Sequence, residues 1–251
     1  MLDWSNICAA IWRSHRETLH GIHDIDPVRL SSLIGIDAQK ELLVNNTRRF
    51  LDALPANNAL LWGARGTGKS SLIKAVFNEF SDEGLRIIEV DKNDMIYLAE
   101  LVDDSRDEKF KFIVYCDDLS FESSETSYKS LKRVLDGSVE APPQNVLVYA
   151  TSNRRHLMPE YMRDNLETQL INDELHYSDA VEEKIALSDR FGLWISFYPI
   201  SLDDYLSIVA SYFQGEEVER EQMLTAAKEF AQLRGTHSGR TAYQFYRSYR
   251  S

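Results

Sequence analysis

LLWGARGTGKSSLIKA, residues Leu60 to Ala75, is the stretch that decides the fold. It holds a glycine, four further residues and then Gly-Lys-Ser. An apolar run, NALLW, leads into it, and an amphipathic run, SLIKAVFNEF, leads out. This is the order a phosphate-cradling loop needs, with a buried strand, a glycine-rich wrap and the N-terminus of a helix. The wrap spans Gly63, Ala64, Arg65, Gly66, Thr67, Gly68, Lys69, Ser70 and Ser71. Its glycines let backbone N–H groups close around phosphate oxygens, and the helix N-terminus adds partial positive charge. Lys69 is placed to bridge the outer phosphates, and the Ser70 hydroxyl to hold Mg²⁺. A plain glycine turn before a helix would need neither the lysine nor the serine.

Outward from this loop, short apolar runs alternate with helical stretches. The runs are Ala59–Trp62, Arg86–Val90, Phe112–Cys116, Val146–Ala150 and Leu193–Phe197. Strands that are apolar along their whole length predict a parallel five-stranded sheet covered by helices on both faces. A helix is expected from Ala38 to about Leu54, stopped by Pro55. After Pro199 three helices are expected. Leu202, Tyr205, Leu206, Val209, Ala210 and Phe213 mark the first, with Ser201 and Asp204 as its capping pair. Met223, Ala227 and Phe230 mark the second, and Gly239 to Tyr249 the third. Trp4, Ile7, Cys8, Ile11 and Trp12 recur at helical spacing and predict an N-terminal helix. The expected organisation is thus a helical segment over residues 1–23, an α/β core over 24–199 and a helical lid over 200–251. The acidic stretch 155–190 reads as irregular or partly helical, either an active-site or interface loop or a solvated surface segment.

Composition sets limits. The 251 residues are 43% hydrophobic and 27% charged, with a formal net charge of −12. An acidic chain of this kind is not built for non-specific adhesion to nucleic acid. Two cysteines, Cys8 and Cys116, make neither a metal pattern nor a disulfide framework, and Cys116 inside FIVYC reads as a small buried hydrophobe. No apolar run approaches the roughly 20 residues of a membrane span, and MLDWSNICAAIW lacks the pattern of a secretion signal. A cytoplasmic protein is the expectation.

Chemistry-bearing residues recur downstream of the loop. KFIVYCDDLSF carries Asp117 and Asp118 out of an apolar strand, where two adjacent carboxylates call for a cation or donors. Asp117 is placed to hold Mg²⁺ through water, and Asp118 to orient or deprotonate an attacking water. VLVYATSNRRHL offers Asn153 as a group that contacts the terminal phosphate or fixes that water, with Thr151 and Ser152 as competitors. LSDRFG contains Arg190, and THSGRTAYQF contains Arg240. Alone, each arginine reads as a surface ion pair.

Taken in order, these motifs resemble an AAA+ ATPase, a P-loop NTPase core with a small α-helical lid. LSSLIGIDAQKE, with Ile34 and Gly35, resembles the AAA+ segment that lies against the adenine. The wording PANNALLWGARGTGKSSLIKA, CDDLSF, YATSNRRHL and LSDRFGL is similar to the bacterial family known as domain of unknown function 815. The resemblance spans about Asp24 to Arg247. It implies ATP and Mg²⁺ as cofactors, Asn153 as the first sensor and Arg240 as the second sensor on the lid. It also implies a homo-oligomer in which Arg190 acts as an arginine finger on a neighbour's ATP, a contact worth roughly 10³–10⁵ in rate in related NTPases. One departure is the Asp-Asp pair where many AAA+ proteins have Asp-Glu. The shorter second acid brings the water closer or slows hydrolysis.

What the nucleotide drives is less constrained. A polypeptide-threading loop would need an aromatic–apolar–glycine motif, but VDKNDMIYLAE has Met95, Ile96 and Tyr97 without a glycine. A helicase-loader role suits the Asp-Asp pair, yet no helix-turn-helix or zinc pattern follows the lid. GRTAYQFYRSYR could stack on bases, though arginines snorkelling from a lid helix explain it better, and a nucleic-acid partner is not favoured. A small-molecule phosphotransferase would need neither Arg190 nor Arg240 in this order. The expected function is an oligomer-dependent ATPase, slow as a lone subunit, that remodels or regulates a macromolecular partner. The alternative is a nucleotide-dependent switch with little turnover, or a DNA-associated helicase-loader-like ATPase.

Overall fold

The computed structural model describes residues 2–120, 125–136, 141–154 and 186–249. Five strands form the parallel core of the sheet: β3 (Ala59–Gly63), β4 (Leu85–Glu89), β5 (Lys111–Cys116), β6 (Val146–Ser152) and β7 (Leu193–Phe197). They lie in the order β4-β5-β6-β3-β7, all parallel to their neighbours. Helices α1 (Asp37–Leu51) and α2 (Lys69–Phe80) cover one face, while α3 (Leu98–Ser105) and α4 (Glu125–Asp136) belong to the other. Strand alternation divides the apolar runs between two cores. On β5, Phe112, Val114 and Cys116 turn to the α3 face, and Ile113 and Tyr115 to the α1–α2 face. That double burial is why the strands read as unbroken apolar runs. Cys116 is fully buried, as its place in FIVYC predicts.

Among the described residues the sheet has seven strands rather than five. Where a helix was expected over residues 1–23, β1 (Ala9–Arg13) and β2 (Thr18–Ile22) form an antiparallel hairpin. β1 adds in parallel to the edge of β4, with Ala9 opposite Ile87 and Ile11 opposite Glu89. The local period of 3.6 loses here to long-range pairing. A free β4 edge would leave its backbone donors and acceptors unpaired, and β1 satisfies them. Ahead of the hairpin, Trp4 packs edge-on against Phe112, with ring centroids 5.0 Å apart. The buried guanidinium of Arg86 donates from Nε to the Trp4 carbonyl at 2.8 Å and lies over the Phe110 ring.

Helices α5 (Leu202–Tyr212), α6 (Arg220–Arg234) and α7 (Gly239–Tyr249) pack around a separate core of Tyr205, Val209, Phe213, Met223, Ala227 and Phe245. The Ser201 hydroxyl caps α5 by accepting from the Asp204 N–H at 3.0 Å, the pair expected from sequence. Met95 is buried in a 3-10 turn, Lys92–Tyr97, and Tyr97 packs on Trp12. Residues 155–185, most of the acidic stretch, lie outside the described residues, as does Arg250 of GRTAYQFYRSYR. Among the described residues, no helix is long and apolar enough to cross a membrane.

Candidate functional site

The carboxyl ends of β3, β5 and β6 are adjacent in the sheet, so the loop after β3, the two aspartates after β5 and the polar end of β6 converge. Ligands in open α/β sheets bind at this edge. Gly63 ends β3 with φ +132°, and a Cβ there would stand 2.0 Å from the Phe197 carbonyl of β7. Only glycine lets β3 turn so tightly beside its neighbour. The loop then wraps back to α2, where the buried Lys69 ammonium donates to the carbonyls of Gly63 at 2.8 Å and Ala64 at 2.7 Å. Thr67 is buried and donates to the Ala64 carbonyl, whereas Arg65 is exposed. Ser71 is half-buried one residue further along α2.

Two hydrogen-bonded chains tie the loop to the neighbouring strands. In the first, the Ser70 hydroxyl donates to Asp117 Oδ1 at 2.7 Å, and Thr151 Oγ1 donates to the same oxygen at 2.5 Å. In the second, Lys69 donates to Asn153 Oδ1 at 3.2 Å, and Asn153 Nδ2 donates to Asp118 Oδ1 at 2.5 Å. Asp118 sits at φ +51°, a left-handed turn that swings its carboxylate back toward Asn153. Its own N–H donates to Thr151 Oγ1 at 2.9 Å.

The three competitors at the end of β6 therefore separate. Asn153 spans the lysine and the second acid, and Thr151 anchors the first acid. Ser152 turns away and donates to the Leu119 carbonyl. Thr151 as an anchor for Asp117 was not foreseen, although its place two residues before Asn153 on a strand sets it beside β5.

Electrostatics follow the geometry. Burial lowers the Lys69 ammonium from its usual range, and the nearby positive charges of Arg65 and Arg240 add to this. Asp117 and Asp118 oppose the shift. Partial burial alone would raise the Asp117 carboxyl, but its hydrogen bonds, led by Thr151 and Ser70, hold it below the usual carboxylate range. Burial also pushes the neighbouring Tyr115 phenol far up. An ionised Asp117 beside the Ser70 hydroxyl is a hard-oxygen pair of the kind Mg²⁺ uses together with water and substrate phosphates. Among the described residues no cluster of three or more His, Cys, Asp or Glu side chains forms a metal cage. The donor set thus fits a cation that arrives with a phosphate.

The lid reaches the loop directly. The Gly239 N–H at the start of α7 donates to the Gly66 carbonyl at 3.1 Å. Gly66, at φ +76°, leaves room for Ser238, whose side chain would lie 3.0 Å from a Cβ there. Arg240 follows in the first turn of α7, exposed and close enough to influence Lys69. Ile34 packs into the lid core, Gly35 lies against Asp204 of α5, and the Ile36 side chain touches Gly68. The segment holding Ile34 and Gly35 thus joins lid and loop. Arg190 is not brought to this cluster. It follows the short turn of residues 186–188, where its guanidinium pairs with Asp136 at the end of α4 and with the Ala186 carbonyl.

Known proteins match the chain in family and in fold. The family model described as "Protein of unknown function (DUF815)" matches residues 5–251. The Thermotoga maritima RuvB Holliday junction branch migration motor superposes with a TM-score of 0.50 at 11% identity, covering 88% of this chain and 72% of that one. The Aeropyrum pernix ORC1 protein, solved in complex with DNA, gives 0.60 at 15% identity over 84% of this chain and 58% of that one. The FIGL-1 AAA domain in complex with ADP gives 0.54 at 16% identity, covering 82% and 68%. Over 63 residues, 24% of the chain, the sequence is 37% identical to the replication factor C large subunit of Ignicoccus hospitalis, a stretch that spans 13% of that relative. The chain belongs to the DUF815 family, and its fold is that of the AAA+ structures it superposes on.

Proposed function

We propose that the protein binds Mg²⁺–ATP between the loop of Gly63 to Ser71, the Ile34–Gly35 segment and the lid, and hydrolyses it. The observation that carries this reading is the pair of chains joining Ser70 to Asp117 and Lys69 through Asn153 to Asp118. Residues from three strand ends meet there around one lysine. When ATP is bound, Mg²⁺ neutralises phosphate charge, with Ser70 and Asp117 as the residues to hold it. Lys69 would exchange the carbonyls of Gly63 and Ala64 for phosphate oxygens. Asp118 and Asn153 would hold the attacking water, with Asp118 accepting its proton. Arg240 would face the phosphates from the lid.

Hydrolysis is proposed to need a second copy of the chain. Arg190 is tied to Asp136, away from the cluster built by its own subunit, which suits a group offered to a neighbour. In this reading a homo-oligomer remodels or regulates a macromolecular partner. A second reading, a nucleotide switch with little turnover, is favoured by the engagement of Asp118 with Asn153, which occupies the acid's oxygen before any water arrives.

The test is ATP turnover per subunit as a function of protein concentration, with Lys69→Ala, Asp118→Asn and Arg190→Ala. The expected result is turnover that rises with concentration, loss of binding in Lys69→Ala, and binding without turnover in the other two. Turnover that stays flat on dilution and survives Arg190→Ala would remove the trans arginine. Tight binding with no turnover at any concentration would leave the switch. Single- and double-stranded DNA in the same assay tests the nucleic-acid reading suggested by the likeness to ORC1, solved with DNA, and to the RuvB branch migration motor. Absence of binding at low salt would end it.

A further inference from the structure

Tyr115 is 2% exposed and stands two residues before Asp117 on β5, so strand alternation turns both side chains to the α2 face. Its hydroxyl lies within reach of both Ser70 and Asp117, yet neither gives it a well-aligned hydrogen bond. A buried polar group left unpaired costs about 1–3 kcal/mol. The same sheet face shows how a buried tyrosine is normally accommodated. The Tyr149 hydroxyl is paired with Thr47 Oγ1 at 2.8 Å and accepts from Asn46 Nδ2 at 3.0 Å. Phenylalanine would fill the Tyr115 space without the penalty. This poorly aligned oxygen faces the two groups that would hold a divalent cation, and Glu89, half-buried, is its cross-strand neighbour on β4.

A small divalent cation such as Mg²⁺ keeps several of its waters when protein and phosphate bind it. Those waters need acceptors and partners from the surrounding residues. We propose that Tyr115 is a positioning residue of the cation site, its hydroxyl hydrogen-bonding a water in the hydration shell of the cation held by Ser70 and Asp117. Such a water would give the hydroxyl the well-aligned partner that Ser70 and Asp117 do not. The inference rests on the nucleotide reading above and adds a residue to it.

The experiment is Tyr115→Phe in the full chain, with three measurements. Affinity for a fluorescent ATP analogue is measured in chelator. The Mg²⁺ concentration that half-saturates the metal-dependent gain in binding is then titrated. Thermal unfolding is followed without ligand. Metal-free affinity is expected to stay within about twofold and unfolding temperature to hold or rise, because an unpaired hydroxyl is removed. The Mg²⁺ midpoint is expected to rise about tenfold, the lower end of what losing an outer-shell partner costs. An unchanged midpoint overturns the proposal. So does an equal loss of affinity with and without Mg²⁺, or a lowered unfolding temperature, either of which marks a packing role. If the unsubstituted chain shows no Mg²⁺-dependent nucleotide binding, the nucleotide reading fails first, before any variant is compared.

Discussion

At the scale of single residues, the site contrasts polar groups that are satisfied with polar groups that are waiting. Tyr149 is satisfied, so Tyr149→Phe is expected to destabilise the chain by about 1–2 kcal/mol in denaturant unfolding, since Thr47 and Asn46 each lose a buried partner. Glu89 offers a pH-dependent counterpart. Burial raises its carboxyl, and Asp117 adds to this against Lys74. A raised carboxyl costs stability as pH climbs through the ordinary carboxylate range, because the unfolded chain ionises first. Glu89→Gln is therefore expected to raise the unfolding temperature at pH 7 and to leave it unchanged near pH 3. The motif residues were legible because the chemistry restricts their types and spacing. Thr151 was named only as a competitor of Asn153 and Tyr115 not at all, because threonine and tyrosine are ordinary strand residues. Only the convergence of β5 and β6 with α2 shows what their oxygens face.

At the scale of elements, the N-terminal hairpin shows where local pattern misleads. Trp4, Ile7, Cys8, Ile11 and Trp12 carry a helical period, but the β4 edge offers a row of backbone partners that no window of sequence displays. Arg86 fastens the approach to this hairpin, donating also to the carbonyls of Ser81 and Leu85. Arg86→Ala is expected to cost about 3 kcal/mol, as carbonyls held by a buried charged donor lose it. Hydrogen exchange should show β1 and β2 losing protection while β5 and β6 keep theirs. Strands β3 to β7 and the lid helices were legible because each has its own periodicity and punctuation. The Ser201–Asp204 cap sits at the position its spacing indicates.

At the scale of the whole molecule, the motif order carried the architecture and the family, since a phosphate loop, an acid pair and a C-terminal lid follow one another along the chain. The joint between core and lid was not legible, because it depends on a backbone contact and on the space left by a missing side chain. Gly66→Ala is expected to weaken nucleotide binding by forcing a left-handed alanine against Ser238, about 1 kcal/mol for the backbone alone. Saturating Mg²⁺–ATP at about 100 times its Kd is expected to stabilise the folded chain by about 2.7 kcal/mol. Calorimetry should record this as an unfolding temperature raised by roughly 5–10 °C, with core and lid unfolding together.

The bond from Gly239 to Gly66 has a bearing on affinity itself. A lid that swung freely would have to be caught by each incoming ligand, and the ordering entropy would be deducted from every binding event. Here the hinge end of the lid is already registered on the phosphate loop. If the chain binds nucleotide as proposed, a lid registered in this way would spare apparent affinity part of the reduction that a rare competent state imposes.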